Sequence, residues 1–153
     1  MKSLELRVPP VLQFTILGIV MYGVANVFPT FQFLVPGSTL LGVSLGIMGM
    51  IVASLGVAEF KKAQTTVDPR APEDSASLVV CGVYQYSRNP MYLGIFFLLL
   101  GWALYLSHVF AFALLPLFIG YMNRFQIQPE ERFMLQKFGD GYRLYLTQVR
   151  RWV

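Results

Sequence analysis

The chain has 153 residues, of which 56% are hydrophobic and only 13% charged. Polar side chains this sparse cannot clothe a globule, so a soluble domain is excluded and apolar surface must face lipid. The net charge is +4, yet no basic run is interleaved with exposed aromatics, so nucleic acid has no support as a partner. The single Cys81 excludes an internal disulfide and any cysteine-based metal cluster. At this length one domain, 1–153, is expected.

After Lys2, Glu5, Arg7, Pro9 and Pro10, residues 11–28 carry no charge and are long enough to span a bilayer. A cleaved signal peptide is the alternative, and Gly23-Val24-Ala25 resembles a small-residue cleavage site. The apolar run is longer than a signal core, which favours the span. Pro36-Gly37 punctuates an uncharged turn. Residues 38–58 make a second span, with Gly42, Gly46, Gly49, Ala53 and Gly56 in one seam along a helix face. In lipid such a seam lets backbones approach closely, either against another span of the same chain, which we favour, or in a homo-oligomer.

Glu59, Lys61 and Lys62 end that span. The polar stretch 63–87 follows, with Thr65, Thr66, Asp68, Pro69, Arg70, Pro72, Glu73 and Asp74, and its prolines argue against one continuous helix. Leu78-Val79-Val80 reads as a short extended piece before a turn at Gly82. Residues 91–107 and 108–128 are the third and fourth spans, joined without charge or loop, which predicts a tight helical hairpin. Pro129 is expected to break the helix, with Glu130 and Glu131 starting a new one at its positive dipole end. From Gly141, Tyr142, Tyr145, Leu146, Val149 and Trp152 mark one apolar face, as in a helix lying in the membrane interface.

Every Lys, Arg, Asp and Glu falls within 1–7, 59–88 or 124–151. Four spans with both termini and the long loop cytoplasmic satisfy the positive-inside rule. The expected fold is therefore an all-α, multi-pass integral membrane protein, its partner the lipid bilayer and its location a bacterial inner membrane. The hairpin then brings 78–94 and 121–145 together at the cytoplasmic end, where convergent polar groups in an apolar cleft would form a ligand site.

Taken singly, these residues have ordinary roles. Arg88 reads as a snorkelling anchor, Tyr84, Tyr86 and Tyr92 as aromatic belt, Pro90 as a first-turn proline, and Glu130 and Glu131 as dipole partners. Cys81 reads as a small buried residue. His108, the only histidine, lies at the hairpin turn on the far side, so no imidazole base reaches the site and a Ser-His-Asp hydrolase is excluded. Glycine-rich nucleotide loops are absent, and histidine-based metal sites fail on count.

Ser87-Arg88-Asn89-Pro90-Met91-Tyr92-Leu93-Gly94 resembles the Arg-His-Pro-x-Tyr-x-Gly motif of membrane methyltransferases related to isoprenylcysteine carboxyl methyltransferase and phospholipid N-methyltransferase. Leu78-Val79-Val80-Cys81-Gly82-Val83-Tyr84 is similar to that family's lead-in. Glu130-Glu131, Leu135, Phe138-Gly139, Tyr142, Tyr145, Val149 and Arg151 are similar to its tail. The resemblance covers about 65–151 and implies methyl transfer from S-adenosyl-L-methionine to a lipid-borne or small apolar acceptor, with no metal. It carries over cofactor-binding roles for Arg88, Asn89, Pro90, Tyr92, Gly94, Glu130 and Glu131. The chemistry of their side chains and backbones adds Gly82 and Tyr84. Arg88, Asn89 and Tyr92 are the catalytic candidates. Asn89 stands where the family has histidine; it can donate and accept hydrogen bonds but cannot serve as base or cation. A membrane reductase using NADPH and a non-catalytic scaffold or transporter subunit are the competing readings.

Overall fold

The computed structural model describes residues 5–65 and 77–153. Five α-helices run in chain order: α1 Pro10–Val27, α2 Ser38–Lys62, α3 Pro90–Leu106, α4 Val109–Tyr121 and α5 Gln128–Gln148. Short 3-10 turns lie at Pro29–Phe31 and Gly82–Gln85, and a π-helical turn, Met122–Ile127, joins α4 to α5. No β-strand occurs among the described residues. Lys2 and the centre of the long polar connection, with Thr66, Asp68, Pro69, Arg70, Pro72, Glu73 and Asp74, lie outside them.

Proline and left-handed residues set the helix ends. Pro10 and Pro90 open α1 and α3, and Pro129 sits in the first turn of α5, where a missing N–H costs nothing. Gly37 precedes α2 with φ +77°, a conformation that favours glycine. Ser107 closes α3 in the left-handed region, and His108 follows at once as the cap of α4. The His108 Nδ1 accepts from the Phe110 amide at 3.3 Å, so its other nitrogen, 2.9 Å from the Phe28 carbonyl, carries the proton. His108 is fully buried, and it ties the hairpin to the end of α1. Both its ring nitrogens are committed to structure.

Three helical runs are long and apolar enough to cross a membrane: Pro10–Val27, Ser38–Lys62 and the continuous run Val109–Gln148. Helix α3 is apolar but shorter, at 17 residues. Only 17% of the most apolar windows of α1 and α2 is buried within the protein, so most of their Leu, Ile and Val side chains face outward. The inward core lies between α1, α3 and α4, where Met21, Leu99, Ala103, Ala111 and Met122 are fully enclosed.

The small-residue seam packs within the chain. A Cβ at Gly42 would stand 2.6 Å from the Gly101 carbonyl oxygen, and one at Gly49 2.6 Å from that of Gly94. Helix α3 answers with its own pair, Gly94 and Gly101, at the same seven-residue spacing. Backbones in such contact gain dispersion along their whole length, the main source of helix association in lipid.

The far end of the chain departs from expectation in two places. Pro129 does not break the helix: the π turn before it absorbs the change of register, and the chain runs on into α5. Instead α5 bends at Gly139, with φ +51° and ψ −124°, and splits into arms 128–138 and 140–148. The second arm buries Tyr142 and Tyr145 but ends at Gln148. Val149 is extended, so Val149 and Trp152 do not share a helical face with those tyrosines.

Candidate functional site

At the end of the bundle opposite His108, the segment 77–89, the start of α3, the π turn and both arms of α5 converge. Gly82 begins this convergence with φ +59°. A Cβ there would lie 2.8 Å from the Glu59 carboxyl group, so glycine lets the turn close on the end of α2. Lys62 Nζ and Cys81 Sγ both donate to that carboxylate. The turn then lays Tyr84 on the ring of Phe60, with centroids 5.3 Å apart, and the Tyr84 carbonyl accepts from the Tyr145 hydroxyl at 2.6 Å.

Arg88 and Asn89 carry the chain from the turn into α3, with Asn89 at the residue just before its first turn. Arg88 Nη2 donates to Glu131 Oε1 at 2.8 Å, and Arg151 meets the same carboxylate through Nε at 3.1 Å and Nη2 at 2.6 Å. Glu131 thus accepts three charge-assisted bonds from two guanidinium groups. Its hydrogen bonding holds the Arg151 guanidinium still further into the charged range.

Glu130, one residue earlier, lives in a different setting. The Tyr92 hydroxyl donates to its Oε1 at 2.5 Å, and the Gln126 amide donates to the same oxygen. Gln126 is only 1% exposed, although its amide is polar. The π turn widens the helix there and swings Gln126 inward, onto a carboxylate four residues on. Two adjacent glutamates therefore have separate partners, one a pair of arginines and the other a phenol and an amide.

These groups line a polar cavity of about 80 Å³. Tyr84, Arg88, Asn89, Tyr92, Glu130 and Glu131 all contribute to its wall, as do Tyr142 and Tyr145. Gly82 and Pro90 lie outside the lining, and Gly94 is committed to the α2–α3 seam. Among the described residues, two buried side-chain polar atoms have no partner: the Tyr84 hydroxyl and Arg88 Nε. Both belong to residues of this wall. Burial raises the Tyr84 phenol above its ordinary range, with Tyr145, Glu130 and Glu59 adding to the effect, so it stays an O–H donor. Buried orphan donors are costly, and such atoms in a cavity wall mark where a ligand's acceptors would sit.

Beside this pocket, between the start of α1, the end of α2 and the start of α3, lies an open apolar groove of about 540 Å³. Pro10, Val11, Ala53, Val57 and Ile95 line it, and Lys61 stands on its wall. Met91 and Tyr92 face both cavities, so a single turn of α3 separates polar pocket from apolar groove.

Fold and site together define a helical membrane protein with a pocket at one end of its bundle whose wall carries charged and phenolic groups, beside an apolar groove. Residues 38–141 match the phospholipid methyltransferase family, and the chain belongs to it. The resemblance drawn from the motifs is thereby borne out, and the match extends back through α2. An uncharacterized protein of Haemophilus influenzae is 44% identical over 63 residues, covering 41% of this chain and all of its own length. The protein-S-isoprenylcysteine O-methyltransferase of Schizosaccharomyces pombe is 33% identical over 72 residues, 47% of this chain and 30% of that enzyme. Its Saccharomyces cerevisiae namesake is 29% identical over 114 residues, 72% of this chain and 46% of the enzyme. The chain thus spans less than half the length of either yeast enzyme. No solved structure matches it.

Arg151, Gln126, Tyr142 and Tyr145 were not among the site residues expected from sequence. Tyr142, Tyr145 and Arg151 carried a signal as members of the tail motif, whereas Gln126, one of several polar residues between Asn123 and Gln128, carried none.

Proposed function

We propose that this protein transfers a methyl group from S-adenosyl-L-methionine to a lipid-borne or small apolar acceptor, of isoprenylcysteine-carboxylate or phospholipid-amine type. One observation carries the reading: Met91 and Tyr92 form a shared wall between a polar pocket and an apolar groove. A reaction between a polar donor and an apolar acceptor needs such a boundary. Family membership does not favour the reductase or scaffold readings.

The donor's chemistry fits the residues. Arg88 Nε–H and the Tyr84 hydroxyl are unpaired donors suited to a carboxylate or hydroxyl. Glu130 supplies a carboxylate for an ammonium, since Glu131 is already held by two arginines. The rings of Tyr84 and Tyr142 give faces for a base or a sulfonium. At about 80 Å³ the pocket must widen to take a ligand of that size. When bound, S-adenosylmethionine supplies an electrophilic methyl group and departs as a neutral thioether. The protein's task is then alignment more than acid–base catalysis. Tyr92, fixed by its bond to Glu130, is the group that faces the reacting end of a substrate lying in the groove. Asn89 and the remaining wall exclude water.

The topology follows the same reading. Four spans, α3 included, put the polar pocket at the cytoplasmic face, with Lys61 at the headgroup level of the groove and the outer faces of α1 and α2 in a bacterial inner membrane. Gly94 and Pro90 contribute by seating α3, and Gly82 by closing the turn that carries Tyr84.

Calorimetric titration of the detergent-solubilised protein with S-adenosylmethionine tests the site. Saturable binding is expected, weakened about tenfold or more by Glu130→Gln and several-fold by Tyr92→Phe. Absence of heat with the wild type, or full affinity in both variants, would overturn it.

A further inference from the structure

The segment that follows α5 is fastened by more polar contacts than an extended stretch needs. Arg88 Nη1 donates to the carbonyls of Leu146 and Val149, each at 3.1 Å, and the Arg88 amide donates to the Arg150 carbonyl at 3.0 Å. Asn89 Nδ2 donates to the Arg151 carbonyl at 2.9 Å. Beyond it, the Trp152 indole N–H donates to Asn123 Oδ1 at 3.0 Å, and its ring meets Phe96 edge-on. None of Val149–Trp152 lines the cavity. They stand behind its wall and touch the residues that form it.

We infer that Asn89 and Arg151 are positioning residues joined in one clasp: Asn89 holds the Arg151 carbonyl, which sets the Arg151 guanidinium fork on Glu131 and keeps that wall of the pocket in binding shape. The inference rests on the methyltransferase reading for what the pocket binds, though not for the clasp itself.

The physical argument starts from the backbone. Carbonyls past the end of α5 have no helical partner and must be satisfied from elsewhere. Arg88 and Asn89 supply those donors, so the extended segment is bound to the start of α3 and not to solvent. Arg151 then returns across the gap to Glu131, whose negative charge is only 17% exposed and needs both guanidinium groups. The Ser87 hydroxyl also reaches the Arg151 carbonyl, but at 3.5 Å, so loss of the Asn89 bond would leave that carbonyl with only the long contact and loosen the fork on Glu131. A carbonyl can only accept, so position 89 has to donate. An asparagine amide does so, a neutral or charged imidazole does so, and a carboxylate does not. That requirement accounts for asparagine at a position where the motif otherwise reads histidine. It also removes any need for an acid or base there.

The test uses the full chain in detergent with Trp102→Phe, which leaves Trp152 as the only tryptophan. Acrylamide quenching of Trp152 reads the clasp directly, and titration with S-adenosylmethionine reads the pocket. Asn89→Asp is expected to raise the quenching constant about twofold or more and to weaken binding about tenfold. Asn89→His is expected to keep both within about twofold of the parent, with affinity flat from pH 6 to 8, because both imidazole states donate. Should Asn89→Asp fail to fold, Arg151→Lys, which keeps the charge and loses the fork, is expected to show the same paired change. A histidine variant as impaired as the aspartate one, or an aspartate variant with unchanged quenching, would overturn the clasp. If the quenching order holds while no variant binds the nucleoside, the parent included, the clasp stands and the methyltransferase reading falls.

Discussion

In the proposed site, Tyr84 is a residue placed at a cost to stability. Its hydroxyl is buried without a partner, and its ring is held by Phe60. Tyr84→Phe removes an unsatisfied donor and keeps the ring, so the ligand-free protein should gain about 1 kcal/mol while cofactor affinity falls several-fold. Thermal unfolding and titration on the same sample would read these opposite signs. Burial also raises this phenol above its unfolded value, so the tyrosine protein loses stability as pH climbs past about 10, where the unfolded chain ionises first. The phenylalanine variant should lose less over that range. Tyr84, Arg88, Asn89, Tyr92, Glu130 and Glu131 were legible because their residue types are costly at the mouth of an apolar helix and recur in a known order. Gln126 was not, because helical periodicity cannot foresee a π turn that rotates one side chain inward. Arg151 was legible only as a member of the tail motif; its contact with Glu131 depends on an extended segment that the sequence reads as helix.

At the level of elements, the α2–α3 pair is the rigid frame that carries the start of the site. Gly94 was expected near the cofactor from its place in the motif; its observed contact is the Gly49 carbonyl, where a Cβ would come within 2.5 Å. Gly94→Ala should therefore cost about 1–3 kcal/mol by forcing the helices apart, and it should shift Tyr92, two residues away. Gly46 belongs to the same sequence seam, but a Cβ there meets nothing within 4 Å. Gly46→Ala should be neutral or slightly stabilising, because alanine orders the helix better than glycine. Denaturant or heat unfolding in detergent distinguishes the two, and equal effects would contradict the observed packing. Small-residue spacing made the seam legible, but not which of its members bear the contact. That depends on the crossing geometry, which only Gly94 and Gly101 of the facing helix α3 disclose. Pro129 carried the opposite lesson, since a proline that reads as a break is accommodated in a first helical turn.

For the whole molecule, charge placement was the most informative feature of the sequence. It collected every ionisable Lys, Arg, Asp and Glu into three stretches, two of which the hairpin brings together around one cavity. The apolar groove was invisible to that reasoning, because it is made of small and aliphatic residues from three helices that differ little from their lipid-facing neighbours. Groove and pocket sharing Met91 and Tyr92 is what turns a family membership into a specific claim about this chain: a polar methyl donor on one side, an apolar acceptor on the other. The most direct measurement is methyl transfer itself. Membranes containing the protein would be incubated with S-adenosylmethionine labelled on its methyl group, and the organic-soluble fraction analysed by mass spectrometry. Labelled lipid or lipid-linked product above that of control membranes, and reduced to the control level by Glu130→Gln, is the predicted result; product at the control level with wild-type protein that binds the donor would contradict it.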